Sequence, residues 1–373
     1  QGVKVMAEEV ERIPVDVIER FMVDVFKAQG VSDEDARICA DVLITSDLRG
    51  IESHGVGRLK YYYDHIQAGI QFPDAQMEIV KESETTALVD AHHGMGHPTA
   101  YRSMELAISK ARQYGMGSVA VRNATHFGIA GYYPLMAAKA GMVGLAFTNA
   151  RPSMAPTFST EAMLGTNPIA FSAPSDLEYP FCYDGATSIA QRGKIEVADR
   201  AEKPVPEGWV IDADGRPMTD SAAILEELPK FQAALLPLGG QTETLAGYKG
   251  YGLATMVEIF SAAMSGGPFM KDLLGFNEDG SRRPYMLGQF FIAIDVEHFI
   301  PLDQFKQIVG NIARSLQAAR KAPGQDRIYV AGEKEFDRER VVREKGVPVN
   351  AALRSTLQFM RDKLSVEGYQ AYF

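Results

Sequence analysis

The run Ser53-His54-Gly55-Val56-Gly57-Arg58 sets an ionisable histidine four residues ahead of an arginine, inside a stretch from Ser46 to Leu59 that also holds Arg49 and Gly50. An imidazole gives or takes a proton near neutral pH, and a guanidinium holds a carboxylate through paired, charge-assisted bonds. His54 and Arg58 therefore suit proton transfer on a ketone or 2-hydroxy acid. The same residues also suit a helix end followed by a loop, with Gly55 and Gly57 as turn residues and His54 merely hydrogen-bonded. A second histidine, His126, follows a strand expected over Ser118 to Arg122, just beyond its carboxyl end. Open α/β sheets place their ligands there. The other reading of His126 is a loop histidine packed on Phe127 and Tyr132.

Three more histidines, His92, His93 and His97, crowd one loop and raise a metal-dependent hydrolase or lyase as a rival. No cysteine or carboxylate stands beside them at a familiar zinc-ligand spacing. Anion-binding candidates come later in the chain. Asp184-Gly185-Ala186-Thr187-Ser188 ends an expected strand with small residues whose amides suit a phosphate or ribose, and Gly193-Lys194 follows. Gly247-Tyr248-Lys249-Gly250 opens a helix expected over Leu253 to Met264, where amides and a lysine suit an anion. A plain glycine-rich helix start explains that run equally well.

The elements that must position these residues are read from periodicity. Val17, Ile18, Phe21, Met22, Val25 and Phe26 recur at helical spacing between Pro14 and Gln29, and Ser32 caps a second helix that delivers the chain to His54. Leu59 to Gln67 continues as a helix. Beyond Ile79 short β-prone runs alternate with helices: Thr99 to Gln113, a strand from Ser118, a helix from Tyr133 to Ala140, then strands Met142 to Thr148, Ile169 to Ser172 and one from Pro180. Lys203 to Pro217 reads as a surface excursion of Pro, Gly and Asp turns. Phe290, Ile292 and Ile294 alternate in a strand from Met286 to Val296. Asp303 is expected to cap a helix carrying Phe305, Ile308, Ile312 and Leu316, and a charged helix and a last helix from Asn350 close the chain. Residues 1 to 13 read as a loose arm. The one dinucleotide-type match, Gly115-Met116-Gly117-Ser118-Val119-Ala120, leaves a helix and enters a strand, the reverse of what a Rossmann turn needs, so Gly115 is better read as a helix C-terminal glycine.

With 373 residues the chain is long enough for two domains or one large one, and its formal net charge of −10 argues against a nucleic-acid or anionic-membrane partner. Cys39 and Cys182 are too few for a disulfide framework, which points to a reducing compartment. No run has a signal peptide's basic-then-apolar pattern or approaches bilayer length, so the expected location is the cytoplasm.

Taken in order, Asp47 to Gly55, Arg122 to Gly128, Gly165-Thr166-Asn167-Pro168, Asp184 to Ser188, Gly193-Lys194, Gly247 to Gly250 and Gly332-Glu333 resemble the malate/L-lactate dehydrogenase family that lacks a Rossmann fold. The resemblance covers nearly the whole chain. It implies an α/β fold in which a mixed sheet sandwiched between helices binds NAD or NADP (79–296), while N- and C-terminal helical segments (1–78 with 297–373) pack together. It also implies a homodimer acting on a small 2-oxo or 2-hydroxy acid, malate or lactate type, with NAD(P)H-dependent reduction of a cyclic 2-imino acid as the alternative activity in such a family. By this resemblance His54 and His126 are the proton-transfer candidates and Arg58 holds the substrate carboxylate. Arg49, Ser53 and Arg151 are further substrate contacts, Arg151 standing at a loop position that varies in the family. Asp184, Gly185, Ala186, Thr187, Ser188, Lys194, Lys249, Gly250, Gly332 and Glu333 look to the cofactor. Gly185 departs from the methionine usual there, which implies looser packing.

Overall fold

The structure, a computed structural model, describes residues 10–373. The first nine residues of the expected loose arm lie outside the described residues; Glu11–Ile13 is already a strand, β1. Two long helices follow, α1 (Val15–Ala28) and α2 (Asp33–Leu48), and after two single helical turns α3 (Leu59–Gln67). Helix α1 buries the six apolar residues that the periodicity singles out. Ser32 Oγ accepts from Asp35 N–H at 3.2 Å and so caps α2 as expected.

Next come β2 (Glu78–Glu82), β3 (Thr86–Asp90), α4 (Gly96–Tyr114), β4 (Met116–Ala124), α5 (Tyr132–Lys139), β5 (Met142–Thr148), β6 (Ile169–Ala173) and β7 (Phe181–Gly185). Gly115 takes φ +88°, and its N–H bonds Ala111 O at 2.7 Å, so it ends α4 as the helix C-terminal glycine. An excursion carries α6 (Arg192–Arg200), β8 (Val210–Asp212), β9 (Pro217–Met218), α7 (Ser221–Glu227) and β10 (Ala233–Leu235). The chain returns through α8 (Gly247–Glu258), which continues as a π-turn over Ile259–Ala263, and β11 (Leu287–Asp295). It closes with α9 (Leu302–Gln317), α10 (Glu333–Lys345), β12 (Val347–Val349) and α11 (Ala351–Leu364).

The main sheet has seven strands in the order β2-β3-β4-β11-β5-β6-β7, and only β3 and β4 run parallel. Strand β11, late in sequence, slots into the middle, and its Phe290 and Phe291 are buried on opposite faces. Helices α4 and α5 cover one face, and α8 with its π-turn covers the other. This is the mixed sheet between helices that the sequence implies, and its antiparallel majority is incompatible with a doubly wound dinucleotide fold. The second core joins both ends of the chain. Phe21 of α1 packs edge-on against Tyr369 and Phe373 at 5.0 and 4.6 Å, and β1 pairs with β12. Each large apolar side chain fully buried there contributes about 1.5–3 kcal/mol.

Three expectations change. The segment from Lys203 to Pro217 is more than a surface excursion: β8 pairs with β9 and β10, and Val205 and Val210 share a small core with Ile195, Ile224 and Leu235. Strands of two or three residues carry too little periodicity to be read, and the helix α6 before them was hidden by its charge. Helix α8 starts at Gly247, inside the glycine run rather than after it. Asp303 lies in the first turn of α9 behind Pro301 and caps nothing, while Ile308, Ile312 and Leu316 are exposed. Helix α9 itself lies against the sheet part, Leu302 meeting Gly141 and Arg314 pairing with Asp176 at 2.9 Å.

Candidate active site

Helix α2 ends in a buried aspartate, and the turn after it is moulded on that side chain. Asp47 is 2% exposed, and its Oδ2 accepts from Val56 N–H at 2.7 Å. A Cβ on Gly55 would lie 1.9 Å from Asp47 Oδ1, so the turn passes only with glycine there. Burial pushes the Asp47 carboxyl up to about 8. Its proton is held more tightly in the folded chain than at the ordinary 3.8, so its contribution to stability is greatest at low pH and is lost as pH rises towards 8. Asp47→Asn keeps the acceptor and removes the ionisation. The difference in Tm between variant and wild type should therefore move in the variant's favour between about pH 4 and pH 8, and a difference independent of pH would refute the assignment.

The turn presents His54 to His126. Their rings stack with centroids 5.5 Å apart and planes 25° apart, and both are half-buried. His126 stands two residues past the end of β4, as the sequence implies. Its Nδ1 lies 2.7 Å from the hydroxyl of Tyr62 on α3 and 3.3 Å from Gly128 N–H. An amide only donates, so Nδ1 is the acceptor and the ring proton sits on Nε2. His54 Nδ1 lies 2.8 Å from Ser53 Oγ, which can donate or accept. Burial, then the nearby Arg58 charge, lowers His54 to about 4 and holds His126 well below its ordinary range. Arg58 stacks on Tyr61 at 5.2 Å, its Nε is buried without a partner, and it pairs with no carboxylate among the described residues. Two neutral imidazoles beside a free guanidinium can hold an anion and exchange a proton with it.

Tyr62 and Tyr61 escaped the sequence reading, because aromatic residues in a helix look like core. So did a buried acid behind the site. Glu258, 5% exposed, accepts from Asn167 Nδ2 at 2.8 Å, Met270 N–H at 3.0 Å and Asn149 Nδ2 at 3.3 Å. It thereby joins the end of α8 to the loops that carry Arg151 and Gly165 to Pro168. Arg151 itself is exposed over the Tyr285 ring at 5.2 Å. Arg49 acts on Asp184 and Cys182 rather than on the histidines.

The cofactor candidates divide into groups that face outwards and groups spent on the scaffold. Asp184 Oδ2 accepts from Gly131 N–H at 2.7 Å, just ahead of α5. Thr187 Oγ1 donates to the carbonyls of Thr166 and Asn167, and Ser188 Oγ to that of Ala190. Gly185 is not loosely packed: a Cβ there would sit 2.5 Å from the Tyr183 hydroxyl, which folds over it. Ala186 is half-buried beside it. Thr187 O accepts from Leu238 N–H, and a Cβ on Gly250 would lie 2.4 Å from Leu238, so the end of β7 and the start of α8 meet at Leu238. The amides at that start are partly spent, Gly247 N–H on Thr242 and Lys249 N–H on Ala246, which weakens the helix-start anion reading. Lys249 and Lys194 remain exposed and unpaired among the described residues, Lys194 over Trp209 at 5.9 Å. Gly193 neighbours Ser53, which brings the first turn of α6, and Lys194 with it, to the histidine turn. Gly332 packs on Cys182 of β7, whereas Glu333 is buried and committed to Arg327 and to Val330 N–H at 3.0 Å.

The three-histidine metal rival is overturned by geometry. His92 pairs with Glu78 at 3.0 Å, His93 sits edge-on to Phe72, and His97 is fully buried against Tyr62 and Phe26, where burial lowers it to about 3. Among the described residues no group of three or more His, Cys, Asp or Glu is arranged to hold a metal ion.

Comparison with known proteins agrees with this geometry. Residues 13–358 match the Malate/L-lactate dehydrogenase family. The chain is 43% identical to malate dehydrogenase of Pyrococcus horikoshii over 96% of each chain, and 39% identical to L-sulfolactate dehydrogenase of Methanocaldococcus jannaschii over 94% of this chain and 97% of that one. The crystal structure of malate dehydrogenase from Entamoeba histolytica superposes with a TM-score of 0.94 at 42% identity, covering 96% of this chain and 99% of that one. The chain therefore belongs to the malate/L-lactate dehydrogenase family and is an oxidoreductase of 2-hydroxy and 2-oxo acids.

Proposed function

We propose that the enzyme interconverts a malate- or lactate-type 2-hydroxy acid and its 2-oxo acid with NAD or NADP, His54 moving the proton. The observation that carries this reading is the stacked pair His54 and His126 beside an unpaired, partly buried Arg58. The residues present suit a dinucleotide: Lys194 and Lys249 are free ammonium groups in a chain where 48 acids face 38 bases, and Gly250 leaves a close approach at Leu238. When bound, the nicotinamide supplies or accepts the hydride at the substrate's C2. Arg58 holds the C1 carboxylate and fixes C2, while His126 donates its Nε2 proton as a hydrogen bond to the substrate oxygen. His54 gives a proton to the oxygen during reduction and takes it back during oxidation. Its low proton affinity in the free enzyme, set first by burial and then by Arg58, suits the oxidation direction, and a bound substrate carboxylate offsets the Arg58 part and raises the affinity for reduction.

A panel of 2-oxo acids assayed for oxidation of NADH and NADPH tests this reading, and a chain that oxidises neither with any of them refutes it. Lys249→Ala should weaken NAD(P)H binding roughly tenfold without lowering Tm, since a lysine meets phosphate as a point charge. Unchanged affinity by fluorescence titration would remove Lys249 from the site. The active unit is a homodimer, supported by the uncovered stripe Ile308, Ile312 and Leu316, and sedimentation velocity reads it as a doubled mass. The free, buried thiols of Cys39 and Cys182 support a cytoplasmic setting, which cell fractionation checks. No helix of the described residues is long and apolar enough to cross a membrane.

A further inference from the structure

One buried acid lies outside the proton and carboxylate machinery. Glu258 pairs with no lysine or arginine among the described residues, and its two oxygens meet only neutral donors. Oε1 takes Met270 N–H and Asn149 Nδ2, and Oε2 takes Asn167 Nδ2. A buried carboxylate without a cation costs the fold more than an apolar side chain of its size, so its use must be sought in those bonds.

A carboxylate only accepts, so Glu258 decides which way both asparagines face. Each is wholly buried, and each turns its amide nitrogen to the acid and its oxygen away. The oxygen of Asn149 accepts from Gly288 N–H at 2.8 Å, tying the end of β5 to β11, and that of Asn167 accepts from Ala150 N–H at 3.2 Å. Asn167 Nδ2 also donates to the carbonyl of Ala254, one turn before Glu258 on α8, at 3.0 Å. The backbones of Asn167, at φ +35°, and Met270, at +49°, lie in the left-handed region. Such conformations persist only where the surroundings fix them, and Glu258 bonds both residues. From Asn167 the chain of bonds runs on, because its carbonyl accepts from Thr187 Oγ1 at 3.0 Å. The loops after β5, before β6 and after β7 therefore all depend on one carboxylate, at the end of the helix whose start carries Lys249.

We propose that Glu258 is a positioning residue for the dinucleotide: it fixes the orientation of Asn149 and Asn167, and through them the Ala150 and Thr187 loops, and touches neither cofactor nor substrate. The inference rests on the NAD(P) reading above. No hydrogen bond of Glu258, Asn149 or Asn167 among the described residues reaches His54, His126 or Arg58, so loss of the acid falls on cofactor binding and spares proton transfer.

The test is a fluorescence titration of NADH and NADPH, with Tm and steady-state kinetics, on Glu258→Gln. Glutamine has the same shape but presents one NH2. With its oxygen towards Met270 and Asn149, that NH2 faces Asn167, which can answer only by turning its own oxygen inwards and releasing Ala150 N–H. Kd for NAD(P)H should rise roughly tenfold, the size of one lost bond to a charged group, while kcat at saturating cofactor stays within about threefold. Adding Asn167→Asp to Glu258→Gln moves the charge across the pair: the glutamine amide now donates to the aspartate, whose other oxygen again accepts from Ala150 N–H. Most of the lost affinity should return, although the bond to the Ala254 carbonyl is gone. Asn149→Ser, which leaves the acid two of its three donors, should show the same split in smaller measure, and it decides the matter if Glu258→Gln does not fold. An unchanged Kd, an equal fall in kcat, or a second substitution that brings back no affinity overturns the inference. A wild-type chain that binds neither NADH nor NADPH fails the dinucleotide reading instead.

Discussion

His54→Asn should lower kcat for 2-oxo acid reduction by roughly 10²–10⁴-fold, the usual contribution of a positioned general acid, while NAD(P)H affinity stays intact. The expectation follows from which imidazole can become an imidazolium. His126 Nδ1 faces Gly128 N–H at 3.3 Å and Tyr62 Oη at 2.7 Å, so a second ring proton would set two N–H groups head to head. His54 Nδ1 faces Ser53 Oγ at 2.8 Å, and a hydroxyl can turn to accept. His126→Asn should therefore act on substrate binding, raising KM roughly tenfold with kcat within a few-fold, since a neutral donor hydrogen bond to a charged or polarised oxygen is what is lost. Because the Arg58 charge adds to burial in lowering the proton affinity of His54, a bound 2-oxo acid carboxylate should raise that affinity, visible as a proton uptake on binding that grows as pH falls below 7 and as a buffer-dependent heat in calorimetry. A kcat loss confined to His126→Asn would reverse the two roles, and near-normal kcat in both variants would end the histidine mechanism.

Gly55→Ala should cost roughly 100-fold in kcat/KM, because a displacement of about 1 Å in a catalytic group can have that effect. The added Cβ would lie 1.9 Å from Asp47 Oδ1 and 2.5 Å from Oδ2, so the aspartate must leave, and with it the acceptor of Val56 N–H. Both neighbours of that contact carry the site, His54 on one side and Arg58 on the other. Gly57→Ala is the discriminating companion: its Cβ would meet only Glu52 O at 3.4 Å, an ordinary contact, and its kcat/KM should stay near wild type. If the two alanine variants behave alike, Asp47 does not hold the turn.

These two glycines show where the sequence is readable and where it is not. Both look like turn residues, yet Gly55 has an ordinary φ of −92° and is required only by a side chain eight positions earlier. Local pattern carries φ, periodicity and capping, so α1, the Ser32 cap, β5 and the Gly115 stop were all legible. It does not carry contacts across the fold. The hydroxyl that bonds His126 Nδ1 belongs to Tyr62, 64 residues away, and nothing in the helical spacing of α3 marks Tyr62 off from a core aromatic. Glu258 was invisible for the same reason: an acid in an apolar helix declares itself only when Asn149, Asn167 and Met270 are seen to converge on it. Of the residues read towards the cofactor, Thr187, Ser188 and Glu333 have spent their side chains on the scaffold. Hydroxyls and carboxylates serve both ends, and only bonding partners tell which.

The pairing of β1 with β12, and the core in which Phe21 meets Tyr369 and Phe373, bear on synthesis as well as on shape. Chains emerge from the ribosome N-terminus first at about 5–20 residues per second, and domains fold as units when their parts are present. Helices α1 and α2 are among the earliest segments to appear, but the partners that cover their apolar faces are among the last. The seven-stranded sheet gains its central strand β11 before α11 is made, so the sheet can close while the helices that position His54 and Arg58 still await their lid. Nascent chains should thus hold the seven-stranded sheet before the helical core that carries His54 and Arg58, with exposed α1 and α2 as natural clients of chaperones during that interval.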